Sequence, residues 1–244
     1  MPPWLSPPSP AILRADEVHI WRLGLDLPAT QLQRLYSTLC GDERERAQRF
    51  YFDRDRNAYI AARGGLRAIL GQYIHRHPAE ITFSYSSKGK PGLIQETNSS
   101  QIEFNVSHSH NLALYGIVRD RRIGIDVEFL RPLPNASQLA RRFFSARECT
   151  SIASFPPDLQ PKVFFSGWTR KEAYLKATGV GLGGLQDVEV SLEFDREPVL
   201  LNVSQSDSCQ DWTLYHLAPD SGYIGALAVE TQRQELQLRY FDIS

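Results

Sequence analysis

Two carboxylates, Asp126 and Glu128, stand two residues apart in the apolar run RIGIDVEFLR (122–131). In an extended chain, residues i and i+2 share a face. Ile123, Ile125 and Val127 then line one side, and Gly124, Asp126 and Glu128 the other. Like charges about 7 Å apart repel, the more so on a half-buried face. A strand at a solvated edge tolerates that, and so does one holding a cation between its acids.

A third acid sits in FFSGWTRKEAYLKATG (164–179), a helix by its periodicity, with Gly179 placed to cap it. At about 100° per residue, Phe164, Phe165, Trp168 and Leu175 form a stripe with Glu172 in its middle and Lys176 one turn on. A surface Glu–Lys pair is one reading. It expects Glu172 opposite the aromatics, whereas an inward carboxylate must be paired, protonated or metal-bound. A structural ion pair and a functional site both remain open here. Carboxylates with open water positions suit Mg²⁺, which commonly completes its shell with phosphate oxygens.

A phosphate-bearing substrate also needs cations. Arg44, Arg46, Arg49, Arg54, Arg56, Arg63 and Arg67 crowd one stretch, and Arg63 and Arg67 border the apolar face of a helix over 57–75. Arginines stretched over a core and an anion site both fit that placement. In NVSHSHN (105–111), Ser107 and His108 end a strand; they suit either an ordinary turn or phosphate oxygens. Lys88 and Lys90 occupy the turn SKGKPG. There is no nucleophile elbow and no Ser-His-Asp order, which argues against acyl-enzyme chemistry.

The elements that must position these residues read as α+β. Strands are expected at EVHIWRL, ITFSY, IEFNV, LALYGIV, RIGIDVE, DVEVSLEF, DWTLYHLA and YIGALAVE. Helices are expected at PATQLQRLYSTLC, GDERERAQRFYF, 57–75, NASQLARRFFS and around 160–178; GVGLGG is a turn and SQSDSC a hairpin loop. This order predicts two similar halves, 17–120 and 121–244, after a flexible Pro-rich tail, 1–16. The 244 residues carry a net charge of −1, so no global field draws the chain to nucleic acid or an anionic membrane. Three scattered cysteines indicate a reduced compartment without a zinc site. With no signal-peptide pattern at the start and no apolar run long enough to span a bilayer, the expected location is the cytosol.

Taken in order and spacing, GKPGL, FNVSHS, GIDVE, FFSARE and WTRKEAYLKATGVGL resemble the 4′-phosphopantetheinyl transferases of the Sfp type, over about residues 40–230. The pairing of GIDVE with W-x-x-K-E-A-x-x-K is the specific part. The resemblance implies Mg²⁺-dependent transfer (Mn²⁺ being an alternative ion) of phosphopantetheine from coenzyme A to a serine of an apo acyl-, peptidyl- or aryl-carrier protein, with release of 3′,5′-ADP. Such carriers serve fatty acid, polyketide or nonribosomal peptide synthesis. It implies that Asp126, Glu128 and Glu172 bind the metal, that Glu172 acts as base, and that Lys176 contacts phosphate and protonates the leaving group. Lys90, Ser107 and His108 would hold the phosphates of coenzyme A, and Arg49 and Arg63 its nucleotide. Glu148 matches an acid near the site, and Arg131 stands where some members have Lys. The implied fold is a pseudo-twofold α+β monomer with its site between the halves. Arg141 and Arg142 are the candidate dock for an acidic carrier. A catalytically silent module binding coenzyme A or a carrier is the rival reading. It expects a lost metal ligand or helix lysine, and none is missing. Nucleic-acid binding lacks a motif, aromatic interleaving and net positive charge.

Overall fold

The computed structural model describes every residue except 1, 2, 9, 194, 195, 204–207, 233 and 244. The chain forms two compact units. One comprises Ser86–Lys90 and Arg121–Leu236, the other Pro2–Tyr85, Pro91–Asp120 and Gln237–Ser244. The mixture of helices and largely antiparallel sheets is α+β.

The second of these units begins with strand β1 (Glu17–Gly24), followed by helices α1 (Ala29–Thr38), α2 (Gly41–Gln48) and α3 (Asp53–Ile74). Two short strands, β2 (Phe83–Tyr85) and β3 (Pro91–Leu93), pair with each other; the longer β4 (Ile102–Ser109) and β5 (Leu112–Arg119) follow. Helix α3 starts four residues before the expected Asn57, with Asp53 and Asp55 in its first turn, where the helix dipole favours acids. Its apolar face, with Leu66, Ile69, Leu70 and Tyr73, packs on Trp21, Leu23, Phe104, Tyr115 and Ile117 of the sheet. That sheet runs in the order β11-β1-β5-β4, β11 being the late strand Gln237–Asp242, parallel to β1.

Within this core, Trp21 Nε1 donates to the Tyr73 hydroxyl at 2.8 Å. The Glu17 carboxylate, 3.4 Å from His19 Nε2, can only accept, which puts the imidazole proton on Nε2 and lets Nδ1 accept from the Tyr73 hydroxyl at 2.7 Å. The segment expected as a loose tail is partly tied down. Leu5 bridges to Phe241, and Ala11 and Leu13 are buried, because these apolar side chains find room against the core.

The other unit is built on β6 (Ile123–Phe129), β10 (Tyr223–Glu230) and β9 (Trp212–Leu217), an antiparallel sheet in that order. Helix α6 (Gln160–Thr178) lies on one face of it, flanked by α4 (Ala136–Phe143) and α5 (Ala146–Ser154). Because α6 is covered nearly all round, even Arg170 and Lys171 are buried, and Gly179 ends it with φ 75°. A small sheet pairs β7 (Val188–Val190) with β8 (Leu200–Val203). Strand β7 is shorter than the expected DVEVSLEF, whose Phe194 lies outside the described residues. The expected hairpin loop SQSDSC falls largely on 204–207, also outside them. Among the described residues no helix is long and apolar enough to cross a membrane.

Candidate functional site

Strand β6 carries its acids on the face that α6 covers. Gly124 lies against the α6 backbone at Ala173 and Ala177, and strand alternation brings Asp126 and Glu128 to the same side. Ile123, Ile125 and Val127, on the opposite side, are also buried, so a solvated edge is not what makes the carboxylates tolerable. On α6, Glu172 and Lys176 lie one residue before Ala173 and Ala177, and so border the same contact.

Lys176 Nζ donates to Asp126 Oδ1 at 2.7 Å and approaches the Ile125 carbonyl at 3.4 Å. Glu172 is 8% exposed, and its Oε1 is buried with no hydrogen-bond donor. Burial and the neighbouring Asp126 push its carboxyl up to about 7; Glu128 adds to this, and Lys176 opposes it. Glu128 stands at the rim, 3.5 Å from Arg131, whose guanidinium covers the Phe165 ring.

The three acids thus feel one another's charge without closing into a ligand shell. Among the described residues no three carboxylate, imidazole or thiolate side chains are gathered closely enough to hold a metal. The donor set fits a divalent cation all the same. A buried carboxylate with an oxygen lacking a donor, raised by two other acids, is the environment that such an ion relieves.

Glu148 belongs elsewhere. Its Oε2 accepts from Lys171 Nζ at 2.6 Å and from the Ser145 amide at 2.7 Å, and its Oε1 accepts from the Val190 amide at 3.0 Å. Lys171 also donates to the Phe143 carbonyl and lies over the Phe144 ring. This fully buried knot joins α5 to α6. The signal was present in the chain: Ser145-x-x-Glu148 is a capping box, which marks a helix start that the expected elements omit.

In the other unit, Arg67 and Arg63 both turn to Glu43. Arg67 Nε is 2.7 Å from Glu43 Oε2, Arg63 Nε bonds Oε1, and Arg63 Nη2 reaches the Tyr85 hydroxyl at 2.6 Å. The anion these arginines meet within the chain is the carboxylate of Glu43. Arg49, expected at the nucleotide, points outward with its side chain 79% exposed and 3.8 Å from Glu45. Lys90, expected on phosphate, places Nζ 3.0 Å from the Ala177 carbonyl and 3.1 Å from that of Ile123. His108 lines a cavity of about 620 Å³ with Arg46, Arg54, Asn57, Tyr59 and His110; Ser107, its neighbour on β4, is buried. Arg46 and Tyr59 were not singled out as site residues. Arg46 stood in a visible arginine cluster, but nothing in the sequence separates it from Arg49.

Residues 122–228 match the family model of the 4′-phosphopantetheinyl transferase superfamily, and 28–116 match that of the 4′-phosphopantetheinyl transferase N-terminal region. The 4′-phosphopantetheinyl transferase HetI of Nostoc sp. (strain PCC 7120) is 45% identical over 226 residues, covering 93% of each chain. The chain belongs to the 4′-phosphopantetheinyl transferase family. The transferase psf-1 of Bacillus pumilus is 34% identical over 180 residues, 70% of this chain and 71% of that one. The transferase ffp of Bacillus subtilis is 30% identical over 165 residues, 67% and 71%. These relatives set this transferase among the Sfp-type members, and the matched C-terminal region contains Asp126, Glu128, Glu172 and Lys176.

Proposed function

We propose that this transferase moves the 4′-phosphopantetheine group of coenzyme A to a serine hydroxyl of an apo acyl-, peptidyl- or aryl-carrier protein, releasing 3′,5′-ADP, as a monomeric holo-[acyl-carrier-protein] synthase of the cytosol. The observation that carries the reading is geometric: Asp126 and Glu128 on one strand face Glu172 and Lys176 on the helix that covers it, with Glu172 buried and its Oε1 without a donor. A carboxylate so placed, with a free oxygen, can accept the proton of an incoming serine.

Glu172 takes that proton as the serine oxygen attacks the phosphorus bearing the pantetheine arm. The bond to the 3′,5′-ADP oxygen breaks, and its electron pair leaves with the nucleotide. Lys176, fixed by Asp126, places positive charge and a transferable proton where the leaving oxygen develops charge. Asp126, Glu128 and Glu172 would hold a Mg²⁺ or Mn²⁺ ion, which when bound offsets the negative charge of the pyrophosphate. His108, with Arg46, Arg54 and Tyr59 around the cavity, suits a phosphorylated nucleoside such as the 3′-phosphoadenosine end of coenzyme A. Each unit packs one long helix on one sheet, which supports the repeated plan that a pseudo-twofold fold implies.

The silent-module reading is not favoured, because no member of the acid–lysine set is missing. Mass spectrometry of an apo carrier incubated with the protein, coenzyme A and Mg²⁺ tests the proposal. The carrier should gain one phosphopantetheine, and the gain should vanish in EDTA. A panel of acyl-, peptidyl- and aryl-carriers left unmodified under saturating coenzyme A would rule it out.

A further inference from the structure

The opposed faces of β6 and α6 are uneven in a way that bears on the acids. On β6 the face toward the helix reads Gly124, Asp126, Glu128. On α6 the facing residues Ala173 and Ala177 are small, and on β10 the partners of Gly124 and Asp126 are Ala228 and Ala226. A Cβ added at Gly124 would lie far inside contact distance of the Ala173 carbonyl oxygen and the Ala177 amide nitrogen, and 3.0 Å from the Ala177 Cα. All three are helix backbone, so no side chain can swing away; the helix itself must move. The contact is tethered as well. Lys90 Nζ bridges the carbonyl of Ile123, just before Gly124, and that of Ala177 in the last turn of α6.

We propose that Gly124 sets the gap between β6 and α6 at which Asp126 and Glu128 face Glu172 and Lys176, and is therefore a positioning residue for the acidic site. The inference rests on the metal-dependent reading of that site. Glu172 and Lys176 flank the contact along the helix, so a lift of α6 there carries both away from the strand. A shift of a fraction of an ångström matters to an ion that demands near-ideal octahedral geometry.

The experiment uses the full chain without coenzyme A and measures Mn²⁺ binding by electron paramagnetic resonance. It compares wild type, Gly124→Ala and Gly167→Ala, and follows carrier modification alongside. Gly167 is a matched control on the same helix. Its added Cβ would meet only side-chain atoms, Phe144 Cε1 at 2.5 Å and Leu192 Cδ2 at 2.6 Å. The expected result is at least a tenfold loss of Mn²⁺ affinity for Gly124→Ala, coenzyme A affinity within twofold of wild type, and wild-type Mn²⁺ affinity for Gly167→Ala at a comparable fall in melting temperature. Gly124→Ala with wild-type Mn²⁺ affinity overturns the inference alone, as does an equal loss in Gly167→Ala. If Gly124→Ala does not fold, Lys90→Gln loosens the same contact without steric load. A loss of Mn²⁺ affinity supports the inference there, and wild-type affinity overturns it. A wild-type chain that neither binds Mn²⁺ nor modifies any carrier instead overturns the reading beneath it.

Discussion

Glu172 is a buried carboxylate raised well above its ordinary range, and it is the base of the proposed reaction. A carboxyl raised to about 7 must lose its proton at neutral pH against burial and two neighbouring acids, so its ionised form opposes folding there. Glu172→Gln keeps the shape and removes the charge. Transfer should fall by at least about 10²-fold. In EDTA at pH 8 the variant should melt a few degrees above wild type, since about 1 kcal/mol corresponds to roughly 2–4 °C in a chain of this size. Carrier modification at wild-type rate, or a melting point below wild type, would each contradict that account. The neighbouring Asp126 accepts from Lys176 directly.

At the scale of elements, α6 is the beam on which the site hangs, and the Glu148–Lys171 knot fixes it to α5. Removing one partner of a buried pair strands the other charge at about 3–5 kcal/mol, whereas removing both leaves no stranded ion. Lys171→Met should therefore lower stability in urea more than the Glu148→Gln/Lys171→Met double variant does. A double variant as unstable as the sum of the singles would show that the pair is not coupled. The same helix shows where sequence reasoning reached and where it stopped. Period and capping placed α6 and put Glu172 inward, and strand alternation put Asp126 and Glu128 on one face. Glu148 is different. Its match to a family motif put it near the site with no role assigned, and its partners, a helix start and a lysine 23 residues on, are what only packing reveals. Arg63 illustrates the same limit. Its position on the border of α3 was legible, but its partner Glu43, on another helix, was not. Strand β11 was missed because its alternation is weak, QLRYFD, and its partner β1 is remote in sequence.

For the whole molecule, a net charge of −1 leaves carrier recognition to a local patch. Arg141 and Arg142, both exposed in the last turn of α4, are that candidate. Arg141→Glu with Arg142→Glu should raise the KM for an acidic carrier several-fold and spare the KM for coenzyme A; unchanged carrier kinetics remove α4 from the docking face. Acid should loosen the fold through His19. Burial holds its imidazole below the usual histidine range despite the pull of Glu17, so the folded chain binds that proton less readily than the unfolded chain. The stability it supports is present above pH ~6.5 and drains as pH falls, by at most about 1.4 kcal/mol per pH unit. Protonation would also set an N–H against the Tyr73 hydroxyl, which already accepts from Trp21. His19→Gln should melt lower at pH 7 yet lose less between pH 7 and 5.5 than wild type. Parallel pH profiles would assign the acid sensitivity to other titratable groups.

The pairing of β1 with β11 has a consequence for biosynthesis. Glu17 meets Gln237, so the edge of β1 that pairs with β11 stays open until residues 237–242 have been made. The stretch Arg121–Leu236, which supplies the acids, has all its own strands available earlier. The order of completion therefore runs opposite to the order of translation, and among the described strands β1 waits longest with one edge open.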